Sequence, residues 1–267
     1  MQHYYSEDFY KLLREDSQRS AEEIVPLVLK LIPCDRVIDV GCGDGTWLKV
    51  FKEHGVEEIV GVDGDYVSED TLVIPKEQFI IFDLQKPLQI NRQFNLVISL
   101  EVAEHLPAEC AQTFIDSLIS LGPVILFSAA IPYQGGENHI NEQWPDYWAK
   151  YFFEKDYVVI DCLRKKIWNN ENVAYWYSQN IFIFAKRTYL ETNTLLRKEI
   201  DNVVNTGDSC LAVVHPKLYL KTQTSYMSLM NLVQEMAQKK MLVRKILSIL
   251  PKVTLNAFKR RISLLLK

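Results

Sequence analysis

The chain has 267 residues, 48% of them hydrophobic, which is room for one α/β domain plus an appendage, and no apolar run reaches the ~20 residues that cross a bilayer. Five cysteines, at 34, 42, 110, 162 and 210, show no paired spacing and no C-x-x-C, so neither a disulfide framework nor a zinc site is expected and a reducing cytoplasm is. The formal charge of −4 hides an asymmetry, with nine Lys/Arg against the single acidic Glu235 in residues 231–267, so the body before them is acidic and lacks the basic surface that nucleic-acid phosphates require.

The N-terminus, MQHYYSEDFYKLLRED, is polar and charged and is not expected to act as a secretory signal. Ser20-x-x-Glu23 predicts a capping box ahead of Ile24, Val25, Leu27, Val28 and Leu31. Pro26 is expected to kink that helix or force it to restart. The next stretch, Arg36 to Leu48, reads RVIDVGCGDGTWL. Val37, Ile38 and Val40 suit a strand buried on both faces. Gly41, Gly43 and Gly45 then allow a tight turn and close approach by a ligand, and Leu48, Val50 and Phe51 begin a helical pattern.

Strand, glycine turn and helix open a nucleotide-binding α/β unit. A dinucleotide site reads G-x-G-x-x-G. Here the spacing is G-x-G-x-G, with Thr46 where the third glycine would stand. Asp39 and Asp44 bring negative charge that repels phosphate and favours a cationic ligand such as S-adenosylmethionine. The P-loop ending Gly-Lys-Ser/Thr is absent. Asp39-Val-Gly-Cys-Gly-Asp-Gly45 resembles the first motif of class I S-adenosylmethionine-dependent methyltransferases. The resemblance runs from Ser20 to Arg187.

That resemblance implies a Rossmann-like, mostly parallel sheet of seven strands with helices on both faces, followed by a helical C-terminal extension. It implies that Asp39, Gly41, Cys42, Gly43 and Gly45 hold the methionine end of the cofactor. The second strand, Glu58 to Asp63, ends on a carboxylate about twenty positions past the turn, where it can accept both ribose hydroxyls. Asp63 is the first choice for that role, with Gly64 beside it and Asp65 in reserve. Phe79 to Leu84 reads as the third strand; the family carries adenine contacts onto Asp83 and Leu84, and capping of the next turn is the alternative for Asp83.

Phe94 to Leu100 is a fourth, continuously apolar strand, followed by Glu101-Val-Ala-Glu104-His105-Leu106, which resembles the family's E-V-x-E-H-L segment. Ligands sit at the carboxyl ends of such strands, so Ser99, Leu100 and Glu101 are expected to border the methyl-transfer site. Glu104 and His105 are expected to open the next helix, with His105 either a structural hydrogen-bonding residue or a base. Val124 to Ala130 suits strand five. Val158 to Cys162 and Asn180 to Ala185 suit an antiparallel edge pair.

Between strands five and six, Ile131 to Ala149 crowds Glu137, His139, Asn141 and Glu142 together, then places Trp144, Tyr147 and Trp148 at helical spacing. In this fold the loop lies over the cofactor's methyl group. Methylating a hydroxyl needs alignment and a base, and histidine titrates near neutrality. His139 is the candidate base, with Glu137 or Glu142 to orient it. The other reading makes Asn141 a helix N-cap and packs Trp144 and Trp148 as core. Aromatic groups beside polar ones suit a sugar face, and the cluster is similar to one in bacterial sugar O-methyltransferases of surface-polysaccharide pathways. No Glu, His and Asn set stands at fixed ligand spacing, so no metal is expected. The Asn/Asp-Pro-Pro-Tyr of adenine N-methylation is missing, as is a Cys-Pro placed to attack cytosine.

After Arg187 the family pattern ends, giving expected domains of 1–187 and 188–267. Thr188 to Val204 reads as helix and 206–209 as a turn. Tyr226, Met230, Val233, Ala237 and Met241 recur at helical spacing before Pro251, and Lys252 to Lys267 forms a second basic, apolar segment. The favoured reading is a helical hairpin packed on the acidic body; an anionic membrane surface or a partner's groove are the alternatives. The expectation is a cytoplasmic enzyme, with peripheral attachment at the inner face of the membrane as a variant. It methylates a sugar or glycoconjugate hydroxyl. A different small-molecule or lipid-linked acceptor, or a non-catalytic adaptor, are the rivals.

Overall fold

The structure, a computed structural model, describes residues 7–206 and 210–249. The chain divides into two compact units, Met1–His215 and Pro216–Lys267. Within the first, seven strands form one sheet: β1 (Arg36–Val40), β2 (Glu58–Asp63), β3 (Phe79–Ile81), β4 (Leu96–Leu100), β5 (Val124–Ser128), β6 (Tyr157–Ile160) and β7 (Phe182–Lys186), in the spatial order β3-β2-β1-β4-β5-β7-β6. Only β7 runs against the other six, pairing antiparallel with both β5 and β6. The expected edge pair is therefore present. The chain steps outward from β1 to β3 and then returns to the far side of β1, so the strand order reverses between β1 and β4. That reversal opens a crevice at the carboxyl ends of those strands.

Apolar residues alternate along the strands between two layers. Val37, Leu96, Ile98, Val124, Leu126 and Ile183 face one layer. Ile38, Val40, Val97, Ile125, Phe127 and Phe184 face the other. A period of two with apolar residues at both phases is what a strand covered on both faces requires. The first layer is covered by α1 (Glu7–Leu31) and α2 (Thr46–Glu53), the second by α3 (Ala111–Leu121) and α4 (Pro145–Phe153). Phe152 of α4 has no solvent exposure and stacks on Phe184, with ring centroids 3.9 Å apart and 12° between planes. Phe152→Ala should destabilise the protein by about 3–5 kcal/mol, read as an earlier urea midpoint with an unchanged slope.

Several local expectations are corrected. Ser20 lies inside α1 and caps nothing: its hydroxyl donates to Asp16 O at 2.6 Å and accepts from Ala174 N at 3.0 Å. Glu23 accepts from Asn170 and Asn172, both at 2.9 Å. The pair ties α1 to the segment before α6 (Tyr175–Asn180) instead. Pro26 does not end the helix, which runs on to Leu31. The third strand stops at Ile81, so Asp83 and Leu84 lie beyond it. Glu104 and His105 sit in a single 3₁₀ turn, Ala103–His105, rather than in the following helix. Asn141 is no N-cap: α4 begins at Pro145 after Trp144, as a proline at the first helical position favours. Trp148 is core, whereas Trp144 is 41% exposed.

Past β6 come α5 (Arg164–Ile167), then α6 and β7, and after β7 come α7 (Arg187–Leu190) and α8 (Thr194–Thr206). The last two remain in the first unit, because Leu190 and Leu196 are buried in its core. The first compact unit accordingly extends through α7 and α8 to His215. The second unit holds α9 (Pro216–Ile249), where the expected stripe is helical. Tyr226, Met230, Val233 and Met241 are exposed, but so are Leu220, Met227, Leu229, Leu232 and Met236, so its apolar residues are not confined to one face. Ser225 and Thr224 return their hydroxyls to carbonyls one turn back, which keeps these polar residues compatible with the helix. No helix among the described residues is long and apolar enough to cross a membrane. The expected turn at 206–209, the break at Pro251 and the basic segment from Lys252 to Lys267 extend outside the described residues.

Candidate active site

The glycine turn closes on β2. The amides of Gly41 and Cys42 both donate to Val62 O, at 2.7 and 3.2 Å, and Gly45 N donates to Cys42 O at 3.0 Å. Gly41 has φ +89°, and a Cβ there would stand 2.3 Å from a Val102 methyl. Gly45 has φ +86° and would meet Ile74 at 2.8 Å. Both positions need glycine for conformation and for space. A Cβ on Gly43 would meet nothing within 4 Å, so the turn presents an open face there.

Three carboxylates surround the turn. Asp39, buried at the end of β1, has its pKa raised by burial and then by Asp63 and Asp44. Asp44 plays a different part from the one expected of it. Its carboxylate pairs with Arg14 of α1 and accepts from Thr46 N at 2.9 Å and Thr46 Oγ1 at 2.6 Å. Arg14 also donates to Thr71 O at 2.6 Å, clasping the turn to the segment after β2. Asp44 therefore organises the turn, and its charge is met inside the protein. Among the described residues no Lys or Arg pairs with Asp39 or Asp63. Two buried carboxylates beside an open glycine turn fit a ligand with cationic and hydroxyl groups and reject phosphate. Cys42 is buried in the same turn, and burial followed by the charge of Asp39 drives its thiol pKa far up, so it stays neutral.

Asp63 is placed where the strand reading puts it. Its Oδ2 accepts from Gly43 N at 2.6 Å, and its Oδ1 accepts from Gly64 N at 2.7 Å and from the Tyr66 hydroxyl. Asp65 is exposed and stays in reserve. The Tyr66 hydroxyl thus occupies one side of the Asp63 carboxylate. The residue is 79% exposed, and its ring lies over Gly64. Asp83 takes the turn-capping part: it is exposed, accepts from Gln85 N at 3.1 Å and pairs with Lys86 at 3.1 Å. Those partners, the Gln85 amide first, lower its pKa. Leu84 is buried, as is Leu100, the last residue of β4. Ser99 is fully buried, and its hydroxyl has no partner.

Glu101, the residue after β4, holds φ +57°, a conformation that costs energy for a side chain of this size. The surroundings impose it. Glu101 N donates to Ser128 O and Oγ, each at 3.0 Å, while its carboxylate accepts from Gln134 Nε2 at 2.8 Å and Asn180 Nδ2 at 3.0 Å. Burial raises its pKa, and the donors from Asn180, Gln134 and Ser128 oppose that rise. Gln134 and Asn180 are themselves buried and linked, at 2.9 Å.

The loop after β5 is drawn across this end of β4. Ile140 N and Asn141 N both donate to Glu104 O at 3.0 Å. That contact brings the His139 ring against His105, with centroids 4.8 Å apart and planes at 89°. His139 Nδ1 donates to Glu142 Oε1 at 2.9 Å, and Glu142 also accepts from Gly135 N at 2.8 Å and Tyr133 N at 2.7 Å. Glu142, not Glu137, is thus the orienting partner. A carboxylate on Nδ1 fixes the hydrogen there and leaves Nε2 of the neutral ring with its lone pair. His105 has its pKa lowered by desolvation and then by His139. Glu104 is fully buried, and neither carboxylate oxygen accepts a side-chain or backbone hydrogen bond of normal geometry. Glu104, His105 and His139 each offer one ligand-type atom, all within 4.8 Å of one another.

Arg14, Gln134 and Asn180 were not singled out from the sequence, where each sits at least 30 positions from the residue it serves; Tyr66, three positions after Asp63, carried no motif signal either. Tyr133 (88%), Ile140 (64%) and Trp144 are exposed on the same loop as His139.

A family model for a methyltransferase domain matches residues 2–129. The structure of DesVI from Streptomyces venezuelae is similar, with a TM-score of 0.50 at 15% identity, covering 68% of this chain and all of that one. Magnesium protoporphyrin IX methyltransferase (ChlM) from Synechocystis PCC 6803 with bound SAH gives a TM-score of 0.50 at 18% identity, over 69% of this chain and 90% of that one. At these identities the likeness shows the fold alone. No curated protein matches the chain in sequence. The family match ends at residue 129, before the loop that carries His139.

Proposed function

We propose that this S-adenosylmethionine-dependent methyltransferase methylates a hydroxyl of a saccharide or glycoconjugate. The donor supplies an electrophilic methyl carbon on a sulfonium. Asp39 and the turn at Gly41, Cys42, Gly43 and Gly45 would hold its methionine end, Asp63 with Gly64 its ribose, and Leu84 with the backbone near Asp83 its adenine. Ser99, Leu100 and Glu101 would border the reacting group. Glu101 is fixed by four hydrogen bonds, so it shapes that wall without rearrangement.

The observation that carries this reading is the His139–Glu142 pair at 2.9 Å on the loop over the end of β4. It orients the imidazole so that Nε2 can take up a hydroxyl proton, the one assistance that methylating an alcohol oxygen needs. His105 beside it keeps the site polar. Exposed Tyr133 and Trp144 supply flat apolar faces of the kind that stack on sugar rings.

The test is an acceptor screen with methyl-labelled S-adenosylmethionine against saccharides, phenols, lipid-linked head groups and carboxylates. Transfer to a saccharide hydroxyl in clear preference to the rest is expected. Transfer only to a phenol or a carboxylate would overturn the acceptor assignment.

A further inference from the structure

We propose that Glu104, His105 and His139 bind one divalent first-row cation, of the manganese, cobalt or zinc kind, at the mouth of the methyl-transfer site. The proposal rests on the O-methylation reading above and refines how the acceptor is activated.

Glu104 is the reason to look for a cation. It has no solvent exposure, and neither of its oxygens has a hydrogen-bond partner of normal geometry. A buried carboxylate left in that state is strongly disfavoured unless something positive meets it. Its surroundings make matters worse, because the carboxylates of Glu101 and Glu142 lie close enough to raise its pKa further, after burial itself; the Glu104 and Ala130 backbone amides offset part of that. Among the described residues no Lys or Arg pairs with Glu101, Glu104 or Glu142. Three acidic groups converge with no Lys or Arg among them, and His139 is the basic side chain paired there.

Two imidazoles complete a donor set. Bonds near 2.1 Å place two ligand atoms on one ion up to about 4 Å apart, and the three candidate atoms already lie within 4.8 Å. A small rotation of one ring closes the difference. Glu142 at Nδ1 of His139 leaves Nε2 for the ion, in the carboxylate–histidine–metal relation that fixes ligating rings elsewhere. One carboxylate and two imidazoles suit first-row transition ions better than calcium, which takes oxygen throughout. Three protein ligands leave coordination positions open, and His105 stands at the exposed side.

In such a site His139 acts through the cation. An acceptor hydroxyl at an open position is acidified, its O–H bond breaks, the electron pair stays on oxygen and the proton leaves to solvent water. A vicinal pair of hydroxyls, as sugars carry, could occupy two open positions together. This narrows the acceptor class toward diols.

The full chain is stripped with chelator and titrated with Mn²⁺, followed by electron paramagnetic resonance, and with Co²⁺, followed by visible absorption. One ion per chain is expected, with Co²⁺ bands reporting nitrogen ligation. Glu104→Gln and His139→Ala should each weaken Mn²⁺ binding at least ~10-fold, while binding of S-adenosylhomocysteine, measured alongside, stays normal and shows that the variants are folded. No Mn²⁺, Co²⁺ or Zn²⁺ bound at millimolar concentration, or wild-type affinity in both variants, would overturn the site. The screen repeated with chelator separates the two ideas. Saccharide methylation that persists without metal sinks the cation and leaves the acceptor reading, whereas a bound ion with no hydroxyl accepted sinks the acceptor reading and leaves the cation.

Discussion

Replacing Asp63 by alanine should weaken S-adenosylhomocysteine binding by about 100-fold or more, read by calorimetry. The magnitude follows from the bonds at stake. Hydrogen bonds to a charged group contribute about 1.5–3 kcal/mol each, and 1.4 kcal/mol is a factor of ten in affinity. Two ribose hydroxyls on one carboxylate therefore account for at least two decades. A further loss comes from the apo protein. Asp63 holds Gly43 N at 2.6 Å and Gly64 N at 2.7 Å, so alanine leaves both amides without an acceptor and loosens the turn. Asp63→Asn distinguishes the two contributions. It keeps one oxygen for the amides but turns an NH₂ group toward donors, so it should spare the melting temperature of the ligand-free protein more than it spares affinity. Tyr66→Phe supplies the contrast, because it removes the hydroxyl that now sits on Asp63; affinity should hold or improve. Near-normal affinity in Asp63→Ala would refute the ribose assignment.

How far the sequence reached depends on whether an interaction is local. β2 was legible to its last residue, since EIVGVD reads as one buried run ending in a charge. The turn was legible because three alternate glycines can hardly mean anything else, and the structure gives Gly41 and Gly45 the positive φ and crowding that demand them. Ser20-x-x-Glu23 misled because the capping pattern is a statement about four residues, whereas the partner that decides Ser20 is Ala174, 154 positions away. Asp44 misled for the same reason: its charge is met by Arg14, on a different element. The short third strand left Asp83 in a turn, where an aspartate bonds the backbone two residues on, as it does with Gln85.

The cluster of Glu104, His105 and His139 shows the limit most clearly. Metal-ligand spacing is a useful signal when all ligands lie on one helix or one loop. Here the third ligand arrives from another loop, carried in by two amides that bond the Glu104 carbonyl. Each residue stands in the sequence, but the contact that joins them does not. The Glu142–His139 bond was within reach because three positions separate the two residues on one loop. The same locality explains why the acceptor is harder to read than the cofactor: the cofactor motif lies within the matched residues 2–129, and the His139 loop lies beyond them.

His139→Ala should lower turnover by about 10²–10⁴-fold, the range for loss of a positioned acid–base group, with unchanged affinity for S-adenosylhomocysteine. The measurement is kcat and KM against the acceptor found in the screen. The ring lies on a loop separate from the Asp39 and Asp63 end of the pocket, so cofactor binding has no reason to follow. Whether Nε2 takes a proton or holds a cation, its removal leaves the acceptor hydroxyl un-ionised, and the loss falls on kcat. Glu142→Gln should be milder, near ~10-fold, because an amide oxygen still accepts from one donor and the ring remains. That variant gives up charge as well as one acceptor, and Glu142 serves three donors: the ring and the amides of Tyr133 and Gly135. Its effect should therefore divide between kcat, through the tilt of His139, and KM, through a loosened loop beneath Tyr133. Turnover retained in His139→Ala would remove the residue from the chemistry and leave Glu142 as a loop fastener only.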